Sequence, residues 1–207
     1  PISDGSYGGV GEYIYVSQRG YYPDAMDKAN QDSYLICENI LGDTDCHAFG
    51  VFDGHGECGD LCSHFAADQF PKYLEEELKK YGGTKALADP TSLKQVYSKA
   101  MTRTNKAMHK SREVDDVLSG TTAVTVIIKD GVLYVGNVGD SRAIIATRNE
   151  SGQTKYAPLS EDQTPYRKDE RERLKKHGAV IMTWEQIMGE EELHEDWGLN
   201  LGEEVDD

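Results

Sequence analysis

Two runs of β-branched and apolar residues, Thr121 to Ile128 and Val132 to Val138, are separated only by Lys129-Asp130-Gly131. Asp-Gly between such runs is the strongest short-range hairpin signal, because both residues tolerate the positive φ that a two-residue type I′ turn demands. So tight a connection commits its two strands to antiparallel pairing. Three more short apolar runs, Ser33 to Cys37, His47 to Phe52 and Arg142 to Thr147, predict strands, and the aromatic and β-branched stretch from Glu12 to Ser17 predicts another. Leu61, Phe65, Phe70, Tyr73, Leu74 and Leu78 recur at helical spacing and predict a helix over 57–80, which Pro71 should kink or divide. Leu93, Val96, Ala100, Met101, Ala107 and Met108 predict a second helix over 92–113, with Asp89-Pro90-Thr91 as its starting signal. A short charged helix is expected over 165–177, where Asp169 and Arg173, and Glu172 and Lys176, are spaced for i,i+4 pairing. Strands and helices come in blocks and do not alternate strictly, which places the chain in the α+β class, with largely antiparallel sheets and helices packed outside.

The 207 residues suffice for one domain with a core that needs no disulfides. The formal net charge of −15 argues against a nucleic-acid partner. Most of that charge is local. No Lys or Arg follows Lys176, whereas ten acids lie between Glu185 and Asp207, so residues 184–207 are expected to be a solvated acidic tail or a variable insertion. Residues 1–10 are expected to be a flexible lead-in, and residues 11–183 the domain. No run of 18 apolar residues is present, so no membrane span is expected. Cys37, Cys46, Cys58 and Cys62 form no C-x-x-C pair and sit in or beside apolar runs, which reads as reduced thiols in a cytoplasmic or nuclear protein.

The chemistry-bearing residues cluster where apolar runs begin or stop. Asp53-Gly54-His55-Gly56 stands where the run His47 to Phe52 ends and a helix is due, and its two glycines let backbone come close to a ligand. Taken alone, the motif reads equally well as an Asp capping the next helix beside a turn. Asn30-Gln31-Asp32 enters the strand Ser33 to Cys37 in a similar way, and Asp140 lies at the junction of two strands, where it also suits a plain turn. Carboxylates and a backbone carbonyl are hard oxygen ligands suited to Mg²⁺ or Mn²⁺. A zinc module built from Cys37, Cys46, His47, His55, Cys58, Cys62 and His64 lacks any recognised zinc spacing. Gly139-Asp140-Ser141-Arg142-Ala143 comes near a nucleophile elbow but joins two strands, where that motif needs strand then helix.

The ordered blocks Asn30-Gln31-Asp32, Phe49 to Gly56, Ser119-Gly120-Thr121-Thr122-Ala123, Asn137 to Ala143 and Leu159 to Pro165 together resemble the metal-dependent protein phosphatases of the 2C family. The wording around Tyr21-Tyr22-Pro23-Asp24 and Lys28-Ala29-Asn30-Gln31-Asp32 is closest to plant-like members. The resemblance implies a four-layer α-β-β-α sandwich of two antiparallel sheets, and an enzyme that hydrolyses phosphoserine and phosphothreonine in proteins with a metal-activated water. It implies two Mn²⁺ or Mg²⁺ ions, with Asp53 bridging them, Gly54 offering its carbonyl, Asp32 holding a metal directly or through water, and Asp140 linked to a third, looser site. His55 matches the general acid, and Gln31 stands where many members have a Glu that binds metal-coordinated water. Two departures accompany the match. Asp27 occupies the position of a phosphate-holding Arg, leaving Lys28 as the nearest cation, and the family's last block with two further metal-binding Asp residues has no counterpart before Asp207. A piece of a longer, monomeric phosphatase acting on phosphoproteins is therefore expected, with a non-catalytic phosphatase-like interaction domain as the alternative.

Overall fold

The computed structural model describes residues 12–189; the expected lead-in 1–10 and most of the acidic tail 184–207 lie outside the described residues. Strands β1 (Asp32–Cys37), β2 (Cys46–His55), β4 (Ala123–Lys129) and β5 (Val132–Val138) form one antiparallel sheet in the order β1-β2-β4-β5, and the two-residue β3 (Gly120–Thr121) pairs with the end of β2. A second antiparallel sheet consists of β6 (Ile144–Arg148) and β7 (Thr154–Pro158). Helices α1 (Gly59–Lys80) and α2 (Pro90–Met108) complete this unit, which runs to Glu161. The α+β class with antiparallel sheets is thus as the sequence predicts.

The β4–β5 turn is the predicted type I′ turn: Asp130 and Gly131 adopt φ of 51° and 75°, which matches the right-handed twist of the flanking strands. Inward residues of the large sheet, Leu35, Ala48, Phe52 and Ile127, meet Ala66, Phe70 and Leu74 of α1 and Val96, Ala100 and Met108 of α2 in one buried cluster. The helix start predicted at Asp89 is present. The Asp89 carboxylate accepts from the Ser92 amide at 2.8 Å and Pro90 occupies the first turn, so an otherwise orphaned donor is satisfied.

Several expectations fail for identifiable reasons. Residues 12–17 form no strand; Tyr13 packs on Phe49 with ring centroids 5.2 Å apart and Tyr15 stacks on Tyr34 at 4.2 Å. Their aromatic character serves packing against the sheet face that α1 and α2 leave open. Helix α1 runs unbroken through Pro71, because Phe70, Leu74 and Leu78 bury on both sides of it. Helix α2 ends at Met108, five residues early, and β6 begins at Ile144. The wholly exposed β7 carries no alternating pattern and escaped sequence reasoning.

The second compact unit begins at Asp162 and contains α3 (Lys168–Lys176) and the short α4 (Trp184–Met188). The expected i,i+4 pairs of α3 are replaced. Asp169 binds Arg167, and Arg173 binds Glu170 through its Nε at 2.8 Å. The buried Arg171 donates to the carbonyls of Pro165 and Tyr166, fastening the helix to its own lead-in.

Candidate active site

In the β1–β2 ladder Asp32 stands directly opposite Asp53. Directly paired residues project from the same face with Cβ atoms only about 5 Å apart. The two carboxylates therefore share the face of the sheet turned away from α1 and α2. Phe52, next to Asp53, is buried on the other side. Beyond Asp53 the chain must pass through a place where only glycine fits. A Cβ on Gly54 would lie 2.1 Å from the Gly59 carbonyl oxygen and 2.5 Å from that of Gln31. The Gly54 amide donates to the Gln31 carbonyl at 3.1 Å, and the Gln31 side-chain amide donates to the Gly56 carbonyl at 2.6 Å. Gln31 thus braces the Asp-Gly-His-Gly turn with both its backbone and its side chain.

Thr122 fastens Asp53 from the other side. Its hydroxyl oxygen accepts from the Asp53 amide at 3.0 Å and pairs with the Ser141 hydroxyl at 2.6 Å, while the Thr122 amide donates to the Asp53 carbonyl at 2.9 Å. Gly139, at φ 96°, lies so close that an added Cβ would come within 2.8 Å of the Thr122 methyl. The loop carrying Asp140 is thereby drawn toward Asp53. The Asp53 carboxyl is held above the usual carboxylate range, first by burial and then by the negative charges of Asp32 and Asp140, with His55 pulling the other way.

His55 ends β2 opposite Gly120, whose missing side chain makes room for the ring: a Cβ there would approach Nε2 to 2.9 Å. One cavity of about 380 Å³ is lined by Asp32, Asp53 and His55 together with Arg19, Tyr22, Lys28, Gln31 and Gly54. Six of the seven residues expected from the sequence, Lys28, Gln31, Asp32, Asp53, Gly54 and His55, thus meet on one cavity. Asp140 lies outside its lining and communicates with it through charge and the Thr122–Ser141 link.

Sequence reasoning missed Arg19, Thr122 and Ser141. An Arg19 guanidinium nitrogen donates to the carbonyls of Met26 and, at 3.1 Å, Lys28, so the side chain closes the loop 19–28 and stands on the cavity wall. Lys28 Nζ lies 4.2 Å from the centre of the Tyr22 ring, a cation–π distance. Arg19 and Lys28 are the only cations between residues 12 and 31, a signal that was legible. The donor set suits a hard divalent cation in kind, since the Asp32 and Asp53 carboxylates stand opposite each other in the ladder and line one cavity. It suits one less well in number: among the described residues, no group of three or more His, Cys, Asp or Glu side chains converges as a metal would require.

Comparison with known proteins gives one consistent result. The family described as Protein phosphatase 2C matches residues 24–191. A curated relative, probable protein phosphatase 2C 35 of Arabidopsis thaliana, is 44% identical over 180 residues, covering 86% of this chain and 48% of its own length. Probable protein phosphatase 2C 73 of the same plant is 32% identical over 158 residues, covering 70% of this chain and 42% of its own length. The chain spans about half the length of the curated relatives it matches. Among solved structures, a serine-threonine phosphatase 2C from Toxoplasma gondii superposes with a TM-score of 0.55 at 24% identity, covering 72% of this chain and 50% of that one, a likeness of fold.

Proposed function

This chain belongs to the protein phosphatase 2C family, and from that membership we propose that residues 11–183 are phosphatase-domain sequence serving the hydrolysis of phosphoserine and phosphothreonine in proteins. The observation that carries the proposal is the cross-strand pair Asp32–Asp53 opening on the same cavity as His55 and two cations. In this reading the Asp32 and Asp53 carboxylates and the Gly54 carbonyl hold Mn²⁺ or Mg²⁺, with Asp140 serving a looser site. When bound, such an ion supplies a water acidified toward neutral pH.

The remaining roles fall to the chain's own groups. Arg19, fixed by two loop carbonyls, and Lys28 attract the phosphate, the former as a planar fork and the latter as a point charge. His55, which lines the cavity, protonates the departing serine or threonine oxygen, a contribution of roughly 10²–10⁴-fold. Gln31 holds the turn that presents His55. Phosphoproteins are the proposed partners, and four unpaired cysteines support an intracellular setting. No described helix is long and apolar enough to cross a membrane.

The test is phosphate release from a phosphoserine peptide in millimolar Mn²⁺. Release that disappears in Asp53→Ala and falls by roughly 10²-fold or more in His55→Ala supports the proposal; turnover indifferent to Asp53→Ala overturns it. With so few converging ligands, Mn²⁺ binding to this chain is expected to be weak in calorimetry, and tight binding of two ions contradicts that expectation. A non-catalytic interaction domain draws its support from the same shortage of ligands, and it predicts no Asp53-dependent turnover.

A further inference from the structure

His55 lines two cavities. One is the carboxylate cavity described above; the other, of about 400 Å³, is bounded by residues of α1 and α2 and by the neighbouring ends of β2, β4 and β5. Of its lining residues Phe52, Phe70 and Met108 are buried, whereas Thr102, Asn105 and Val138 are exposed, so the space runs from core to solvent. A space of this size among core side chains departs from the close packing of protein interiors, and its volume falls within the range of about 300–1,000 Å³ common to small-molecule sites.

No Asp, Glu, Lys or Arg lines this second cavity, although the chain carries a net charge of −15. The charged neighbours are engaged or turned elsewhere. Arg103, which stands between two lining residues of α2, binds Glu76 and Glu77 of α1, and Asp53, two residues before His55, lines the carboxylate cavity instead. Lys106 is exposed outside the lining. Three of the polar groups that do line the cavity are left as acceptors. The Thr104 hydroxyl donates its proton to the Ala100 carbonyl and the Thr121 hydroxyl donates to the Thr122 carbonyl, each at 2.9 Å, so both oxygens keep only lone pairs to offer. The Asn105 amide nitrogen lies 3.3 Å from His109 Nε2, and Asn105 Oδ1 has no partner among the described residues.

We propose that this cavity binds an uncharged, mainly aromatic or aliphatic small molecule that carries one hydrogen-bond donor. A charged ligand would give up hydration there without meeting a counter-charge, whereas a single hydroxyl or N–H finds acceptors in Asn105, Thr104 and Thr121. Size follows by proportion: an apolar cavity of about 150 Å³ holds benzene, so this one takes about 15 non-hydrogen atoms. Such a ligand packs on Met101 and Met108, whose flexible thioethers adapt to irregular shapes, and it touches His55 from outside the carboxylate cavity. Its binding is independent of the phosphatase reading. Its effect on turnover rests on that reading, because His55 is the group that protonates the departing oxygen.

The experiment uses the 207-residue chain with its five methionine methyl groups isotope-labelled and observed by NMR. The probes are β-naphthol, its methyl ether, which lacks the donor, and the anion β-naphthoate. β-Naphthol is expected to bind saturably with a dissociation constant of about 1 mM or tighter, shifting Met101 and Met108 and leaving Met26, which does not line the cavity, in place. The methyl ether should bind about fivefold more weakly, the size of one hydrogen bond, and β-naphthoate should leave the methyl signals unmoved. Thr102→Trp and Val138→Trp fill the space from exposed positions, where neither change disturbs the core, and each should abolish the shifts. Absence of saturable shifts at Met101 and Met108, equal binding of the methyl ether or of β-naphthoate, or binding that persists in both filled variants overturns the proposal. So do shifts of Met101 and Met108 that appear on concentrating the protein without any probe, since a second copy then occupies the space. Bound β-naphthol should lower phosphate release from a phosphoserine peptide and spare that from p-nitrophenyl phosphate, whose leaving group needs no proton; equal release with and without β-naphthol overturns the contact with His55. Binding as described, with no turnover of either substrate, upholds the ligand site and refutes the catalytic reading.

Discussion

Thr122→Val isolates the device that holds Asp53 in place. Valine keeps the shape and both branch points of threonine and removes only the hydroxyl, which accepts from the Asp53 amide at 3.0 Å and pairs with the Ser141 hydroxyl at 2.6 Å. Thr122 is 8% exposed, so water does not replace the lost acceptor for the Asp53 amide. An unsatisfied buried donor costs about 1–3 kcal/mol, and loss of the Ser141 hydrogen bond, whose hydroxyl can turn toward solvent, adds about 0.5–1 kcal/mol. The expected destabilisation is about 2–3 kcal/mol, which for a unit of this size lowers Tm by about 5–10 °C. Urea and thermal unfolding followed by circular dichroism measure it. Thr122→Ser is the control: it keeps the hydroxyl, gives up one methyl group against Gly139 and should lose only about 1 kcal/mol. If Thr122→Val costs less than about 0.5 kcal/mol, or if Thr122→Ser costs as much as Thr122→Val, the hydroxyl is not what fixes Asp53 and the reasoning fails.

Gly54→Ala drives a methyl group to 2.1 Å and 2.5 Å from two backbone carbonyl oxygens; neither can swing away, so a loss of about 3 kcal/mol or more is expected by thermal denaturation, and a loss below 1 kcal/mol counts against the close packing described. Asp53→Asn removes a carboxylate held above its usual range by burial and by Asp32 and Asp140. A raised folded-state value in an acid means the ionised form destabilises the fold, so the metal-free variant should melt higher than wild type at pH 7, and the gap should close as pH falls through the carboxylate range. A lower melting temperature at pH 7 refutes the charge argument. Glu77 works in the opposite direction. Hydrogen bonds from Lys80 and Arg103 hold its carboxyl below the usual range, so its contribution is present above about pH 4.3 and is lost as pH falls further. Glu77→Gln should give a shallower acid-side loss of stability, and an unchanged slope shows that the network contributes nothing.

What the sequence reveals of this molecule depends on how local the cause is. Asp130-Gly131 and Asp89-Pro90 specify their turn and cap within a few residues, and both are found where local chemistry puts them. Tyr13 and Tyr15 mislead because strand propensity measures how a side chain fits a pleated surface, and these rings fit such a surface by lying on Phe49 and Tyr34 instead of joining the ladder. Pro71 misleads for a tertiary reason, since the buried residues around it carry the helix past the missing donor. At the site the same division holds. Asp53, Gly54, His55 and Asp32 are legible because residue type and position at strand ends mark them. Thr122 is silent in sequence, being 69 positions from the residue it holds. The approach of Arg19 to the cavity depends on a loop closed by its own side chain.

The same contacts explain why a stable fold tolerates this site at all. Asp32 and Asp53 are placed side by side by strand register, and Asp140 is drawn in by the Thr122–Ser141 link, although each carboxylate raises the cost of ionising the next. Left to electrostatics, the loops would separate until water screened the charges. They do not separate because the backbone at Gly54, Gly59 and Gly139 is packed too closely to slide, and because Gln31 and Thr122 satisfy the turn's own polar groups. Uncompensated, the paired Asp32 and Asp53 carboxylates repel a phosphate on the same cavity that Arg19 and Lys28 line. Divalent positive charge, were it held between Asp32 and Asp53 as proposed, would make the cavity attractive to a phosphate. The close-packed glycines thus hold together negative charges that electrostatics alone would drive apart.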